Sequence, residues 1–275
     1  MSNNNSNNSK IIDCFIFYNE VDLLTYRLNI LNDIVDYFVL VESTHTHVGK
    51  PKQLFYKDNK QLFERFNHKI IHIIVNDFPY KYPKINIKKN QQWINERFQR
   101  SCISRGIHKL RLLNNDLIII TDLDEIPNPN ILEQIKNNNR VIDINILEMD
   151  FYYYNLTCKI NTPWNLPKIL SFKKYNTLKL SCDKLRFYKC PIIENAGWHL
   201  SYFGNEQFIK NKLENFTHQE FNKSKFTEKE RIKQRITEGK DLFDRNINII
   251  NIPIEENDNL PPDYNTYLIN ATQSL

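Results

Sequence analysis

Three carboxylates fall within four residues in Asp122-Leu123-Asp124-Glu125, directly behind the apolar run Leu117-Ile118-Ile119-Ile120 and directly before Ile126-Pro127. Carboxylates crowded in this way repel one another and lose hydration when buried, so a compensating positive charge is required. A divalent cation at the carboxyl end of a buried strand is the simplest source of it, with Asp122 and Asp124 as ligands. The bland alternative is an acidic loop that caps the next helix, because Asp and Glu favour helix N-termini.

Asp-x-Asp behind a strand serves two unrelated chemistries. In phosphatases of the haloacid-dehalogenase type the first Asp attacks phosphorus and the second is the general acid. Here Glu125-Ile126 replace the small residue and Thr or Val usual in that motif, and three strand candidates precede it. The later acidic pair of that chemistry has no good counterpart; the nearest cluster is Glu255-Glu256-Asn257-Asp258. In the second chemistry a cation bridges the carboxylates and the diphosphate of a nucleotide sugar, neutralising charge as the leaving group departs. That arrangement needs no glycine loop. The chain has five glycines and neither G-x-G-x-x-G nor G-x-x-x-x-G-K.

The elements that must carry the motif read as alternating strands and helices. Apolar runs at 11–17, 37–41 and 69–75 predict three strands ahead of 117–120, with helical spacing at 21–32, 54–66 and 90–113 between them. Such alternation is the mark of βαβ units and a mainly parallel sheet flanked by helices. Each strand ends in polar residues: Asn19-Glu20, Glu42-Ser43, Asn76-Asp77 and the acidic cluster. Open α/β sheets bind ligands outside the carboxyl ends of their strands, so four polar ends brought together would build one site. In the helix at 90–113 the expected apolar stripe is Ile94, Phe98, Cys102, Ile103, Ile107 and Leu110. Glu96 and Arg100 stand at i, i+4, where they pair with each other or leave Arg100 for a substrate. Phe151 to Tyr154 and Trp164 read as half-buried strand residues or as stacking platforms for a sugar. From 206 to 243 the chain is polar and helical. One α/β domain over 11–275 with a helical C-terminal part is expected, behind an Asn-rich disordered tail at 1–10.

Composition narrows the classes. A formal charge of +5 over 275 residues is mild and spread out, so nucleic-acid binding is not indicated. The five cysteines have no metal-like spacing and suit reduced, mostly buried thiols, although a Cys182–Cys190 bridge stays open. No apolar run approaches the roughly 20 residues of a membrane span, and the first residues lack the pattern of a signal peptide. The expectation is a cytoplasmic protein.

Several ordered motifs resemble glycosyltransferase family 17: Phe15-Ile16-Phe17-Tyr18-Asn19-Glu20, Asp36 to Thr44, Gly49-Lys50-Pro51-Lys52, Trp93-Ile94-Asn95-Glu96-Arg97-Phe98-Gln99-Arg100, Thr121 to Pro127, Gly197-Trp198-His199, and Leu260 to Tyr264. The resemblance implies a GT-A-type fold and Mn2+ or Mg2+ as cofactor. It also implies inverting transfer of N-acetylglucosamine from UDP-N-acetylglucosamine to a glycan or glycoconjugate acceptor, with a β-1,4 linkage to mannose among the outcomes. On that basis Asp124 is the first choice for metal ligation, Asp122 binds metal and donor, and His199 is a further ligand. Asn19, Glu20 and Glu42 stand where such folds hold uracil and ribose, Arg100 reaches the donor, and Lys50 and Lys52 contact phosphate or lie on the surface. An inverting reaction needs a general base for the acceptor hydroxyl. Asp150, Glu125, Glu148 and Glu194 are the candidates, with Asp150 preferred. A catalytically inactive carbohydrate-binding protein is the non-enzymatic alternative, against which the intact acidic cluster argues.

Overall fold

The computed structural model describes residues 9–137 and 141–273. Among these residues twelve strands run in the order β1 (Ile11–Phe17), β2 (Tyr37–Ser43), β3 (Ile70–Val75), β4 (Leu117–Asp122), β5 (Glu125–Pro127), β6 (Ile144–Leu147), β7 (Met149–Tyr153), β8 (Cys158–Trp164), β9 (Lys168–Ser171), β10 (Ile192–Ile193), β11 (Gly197–Ser201) and β12 (Ile249–Asn251). They form a seven-stranded sheet of order β10-β6-β9-β4-β1-β2-β3 and a five-stranded sheet of order β12-β8-β7-β11-β5. In the larger sheet β4, β1, β2 and β3 are mutually parallel, as the βαβ alternation requires, and β9 is antiparallel to both β4 and β6. The mixed, mainly parallel architecture is consistent with a GT-A-like fold. The smaller sheet, in which only β7 and β11 are parallel, was not foreseen, because its strands are short and broken by polar residues.

The larger sheet is covered on both faces, which is why its central strands are apolar almost throughout. On one face Ile11, Phe15 and Phe17 of β1 pack against Leu24, Leu28 and Leu31 of the helix Val21–Leu31. On the other, Ile12 and Cys14 meet Ile103 and Ile107 of the helix Ile103–Ile107, with Cys182 and Leu185 of the helix Cys182–Arg186. The C-terminal part is helical as expected, with helices Glu206–Asn215, Lys229–Glu238 and Tyr264–Gln273.

Two local expectations are corrected. The helix expected over 90–113 is two helices, Gln91–Ser101 and Ile103–Ile107, separated at Cys102. The first of them turns polar residues inward: Gln92, Asn95, Glu96, Gln99 and Arg100 are buried, whereas Ile94 is 40% exposed. Buried polar groups ordinarily need partners: Arg100 pairs with Glu96, Asp122 and Asp183 of the site described below and Gln99 Nε2 donates to the Val41 carbonyl, whereas Gln92 Oε1 and Glu96 Oε2 have no partner among the described residues. All five cysteines are free thiols, so the Cys182–Cys190 bridge does not form. Of the tail expected at 1–10, residues 1–8 lie outside the described residues, and the Lys10 backbone N–H donates to Asp116 Oδ1 at 2.9 Å. Among the described residues no helix is long and apolar enough to cross a membrane.

Gly106 shows how tightly helix and sheet approach. A Cβ at this position would stand 2.3 Å from Cγ1 of Val39, a buried, β-branched residue of β2 with little room to rotate. Gly106→Ala gains about 1 kcal/mol of helix propensity but overpacks the interface at a cost of about 1–3 kcal/mol. The expected outcome is a lower midpoint of urea unfolding; a raised midpoint would show that β2 yields at this contact.

Candidate active site

The acidic cluster lies where the chain passes from one sheet to the other. β4 ends at Asp122 in the larger sheet, Leu123 and Asp124 make the turn, and β5 begins at Glu125 in the smaller one. β5 pairs antiparallel with β11, which sets His199 opposite Glu125, and β11 pairs parallel with β7, which sets His199 opposite Phe151. The Leu200 backbone N–H also donates to the Asp124 carbonyl at 2.7 Å. Strand register thus carries a late histidine to the acidic turn.

Beneath the turn lies Arg27, fully buried on the inner face of the helix Val21–Leu31. Its Nη1 donates to the carbonyl oxygens of Asp122, Leu123 and Glu125 at 3.1, 2.9 and 2.7 Å. Nε and Nη2 donate to the Asp13 carboxylate at 2.8 and 2.6 Å, and Nη2 also to Thr121 Oγ1 at 2.7 Å. Asp13 shares the β1 face of Ile11 and Phe15, because side chains alternate along a strand.

Each carboxylate of the cluster has its own environment. Asp122 accepts from Arg100 Nε and Nη2 at 3.2 Å, and Arg186 Nη2 stands 3.3 Å from its other oxygen. Burial opposes its charge, but the two guanidinium groups prevail and hold Asp122 below the ordinary carboxylate range. Arg100 also donates to Glu96 at 2.7 Å and to Asp183 at 2.6 Å, so the i, i+4 pairing and the reach to the acidic cluster occur together. Glu125 is wholly buried. It accepts from Arg186 at 2.5 and 2.6 Å, from Trp164 Nε1 at 2.6 Å and from the Asp122 backbone N–H at 2.7 Å. Asp124 faces His199 Nε2 across 3.7 Å with one oxygen and Lys212 Nζ across 3.2 Å with the other. His199 is stacked on Phe151 at 4.5 Å between centroids, with Trp164 at 4.4 Å. Burial depresses the basicity of its imidazole against the pull of Asp124, favouring the neutral ring.

These groups open onto a cavity of about 1180 Å3. One side is built from the ends of β1 and β2 and the helix Gln91–Ser101, including Glu20, His47, Trp93 and Arg100. The opposite side carries Phe151, Trp164, Phe187 and Asn246. Of the residues singled out in the sequence, Glu20, Arg100, Asp122, Asp124, Glu125 and His199 line this space. Three do not. Glu42 is fully buried, capping the Tyr56 N–H at 3.0 Å and facing His72 at 3.1 Å. Asn19 buries its side-chain oxygen without a partner outside the cavity. Asp150 points away from it and binds Lys159 Nζ and Asn259 Nδ2, each at 2.8 Å. Glu148, Glu194, Lys50 and Lys52 also stand outside the lining. Arg186 and Lys212 were missed. Arg186 carried a faint signal, a cation set between the apolar Leu185 and Phe187, whereas Lys212 is one of many lysines in a polar helical stretch.

Among the described residues no three His, Cys, Asp or Glu side chains group to enclose a metal. The donors that converge are Asp124 and the neutral His199 ring, a mixed oxygen and nitrogen pair. These are the two side chains that could hold a divalent cation here, one through oxygen and one through nitrogen.

A mainly parallel α/β sheet here opens onto an acidic, arginine-backed cavity at its strand ends, the place where such sheets carry their sites. The family model for glycosyltransferase family 17 matches residues 2–247, and the chain belongs to that family. Over 122 residues it is 32% identical to the proteins named β-1,4-mannosyl-glycoprotein 4-β-N-acetylglucosaminyltransferase of Rattus norvegicus and of Homo sapiens. The corresponding Mus musculus protein is 31% identical over 122 residues. Each match covers 43% of this chain and 22% of the relative.

Two substitutions separate scaffold from chemistry. Arg27→Met strands the buried Asp13 carboxylate, and breaking such a pair costs about 3–5 kcal/mol; chemical denaturation should show a loss of that size. Asp150→Asn should leave turnover near that of the parent, since the side chain does not reach the cavity. A hundredfold fall in kcat with the fold intact would restore Asp150 as the base.

Proposed function

We propose that this chain transfers N-acetylglucosamine from UDP-N-acetylglucosamine to a glycan acceptor, with inversion and with the help of Mn2+ or Mg2+. The observation that carries this reading is the approach of Asp124 and His199 to 3.7 Å inside the cavity. Membership of glycosyltransferase family 17 and the names of the relatives supply the sugar. The donor's nucleotide lies along the ends of β1 and β2, near Glu20 and His47, where parallel sheets receive such ligands. Asp124 and His199 would hold the cation, which would supply charge neutralisation for a departing diphosphate.

The chain's own groups do the rest. Arg100 and Arg186 hold Asp122 ionised, and Glu125, locked by Arg186 and Trp164, fixes the backbone of Asp122 rather than taking a proton. Phe151 and Trp164, packed about His199, with the exposed ring of Phe187 at the rim, offer apolar surface to an acceptor sugar. The sugar's C–H faces pack on such rings while its hydroxyls meet polar neighbours such as Asn246.

Titration of UDP-N-acetylglucosamine by calorimetry, with and without Mn2+, together with an assay of UDP release, tests the reading. Binding that needs Mn2+ and slow release of UDP are expected, and Asp124→Ala should abolish the metal-dependent part without unfolding the chain. Absence of binding to any UDP-sugar, with phosphatase activity in its place, would overturn it.

A further inference from the structure

Lys212 occupies an unusual position for a lysine. It projects from the helix Glu206–Asn215 into the cavity, with its side chain only 13% exposed. Its Nζ stands 3.2 Å from Asp124 Oδ2 and 3.8 Å from Glu20 Oε1, while the rings of Tyr202 and Phe216 lie 5.3 and 5.9 Å away. The two carboxylates follow neighbouring strands, β1 and β4. Glu20 follows β1, and Asp124 is the residue read above as the metal's oxygen ligand.

An ammonium that already neutralises Asp124 and a divalent cation drawn to the same carboxylate repel each other, and the buried setting screens that repulsion poorly. The lysine stem is flexible and its charge compact, so the ammonium can leave Asp124 if another anion is within reach. Glu20 is one such anion, and the diphosphate of a bound nucleotide is a stronger one. We propose that Lys212 competes with the divalent cation for Asp124 and yields that carboxylate when a nucleoside diphosphate enters to receive the ammonium. Lys212 therefore couples metal binding to nucleotide binding: each is weak alone, and each strengthens the other by the same factor. This inference rests on the reading that Asp124 and His199 hold the cation.

The test is Mn2+ binding followed by the electron paramagnetic resonance of free Mn2+, with and without UDP. It compares the parent chain with Lys212→Met, Lys212→Arg and Asp124→Asn. Without UDP, Lys212→Met should bind Mn2+ on the order of tenfold more tightly than the parent, within the usual range of coupling between sites. The strengthening that UDP confers should shrink to match. Lys212→Arg, which keeps the charge, should retain weak binding without UDP and so guards against a Lys212→Met effect that arises from altered folding. Unchanged or weaker Mn2+ binding by Lys212→Met, with Asp124→Asn showing that the site is the one measured, would overturn the role of Lys212 alone. Failure of the parent to bind Mn2+ even with UDP would overturn the metal reading, and this inference with it.

Discussion

A guanidinium removed from water holds the turn on which everything else depends. Main-chain carbonyls crowded at a sharp passage between two sheets would ordinarily need water, and at Asp122, Leu123 and Glu125 water is replaced by a single nitrogen of Arg27. The cost of burying that charge is offset by Asp13, which is itself buried in the middle of an apolar strand. Because the carbonyls point down to Arg27, the side chains of Asp122 and Asp124 are free to face the cavity. The acidic cluster is therefore presented by a cation that bonds its main chain and not its carboxylates.

The same device recurs on the far wall. Lys168 donates to the carbonyls of Asn165, Leu166 and Arg186 at 3.3, 3.0 and 2.8 Å, and burial lowers its pKa to about 8. Arg186, anchored there by its main chain, clamps Glu125 with its side chain. Around the cavity, charges therefore alternate in sign from Asp183 through Arg100, Asp122 and Arg186 to Glu125. Such a chain is rigid because moving any member leaves a neighbour buried and unpaired.

Much of the larger sheet was legible, and the reason is physical. Strands buried on both faces must be apolar, so β1, β2, β3 and β4 announce themselves, and β4 leads straight into the acidic cluster. The smaller sheet has no such constraint; β8 includes Asn161, Thr162 and Pro163, and β5 has three residues. The role of Arg27 was readable in principle. It continues the stripe of Leu24, Leu28 and Leu31, and a charge on a core-facing stripe calls for a partner such as the lone Asp13 of β1. Helix Gln91–Ser101 misled for the converse reason: its polar residues, not its apolar ones, follow the helical period inward. Asp150 and Glu42 were misplaced because a polar strand end can face either way, and only the neighbouring chain decides which.

The pairing of β5 bears on how the chain comes to be built. β5 is an edge strand whose sole neighbour in its sheet is β11, and Gly197 permits the approach, since a Cβ there would lie 2.2 Å from the Ile126 carbonyl. A ribosome that has released residues up to the end of β4 has therefore made one rim of the acidic turn and not the other. The second rim waits for β11 to emerge, some seventy residues later by the numbering of Glu125 and His199. Until then the carboxylates have neither His199 nor Lys212 beside them, and long-range pairings of this kind close late. The acidic turn is thus completed only after the strands of the parallel sheet have all been made.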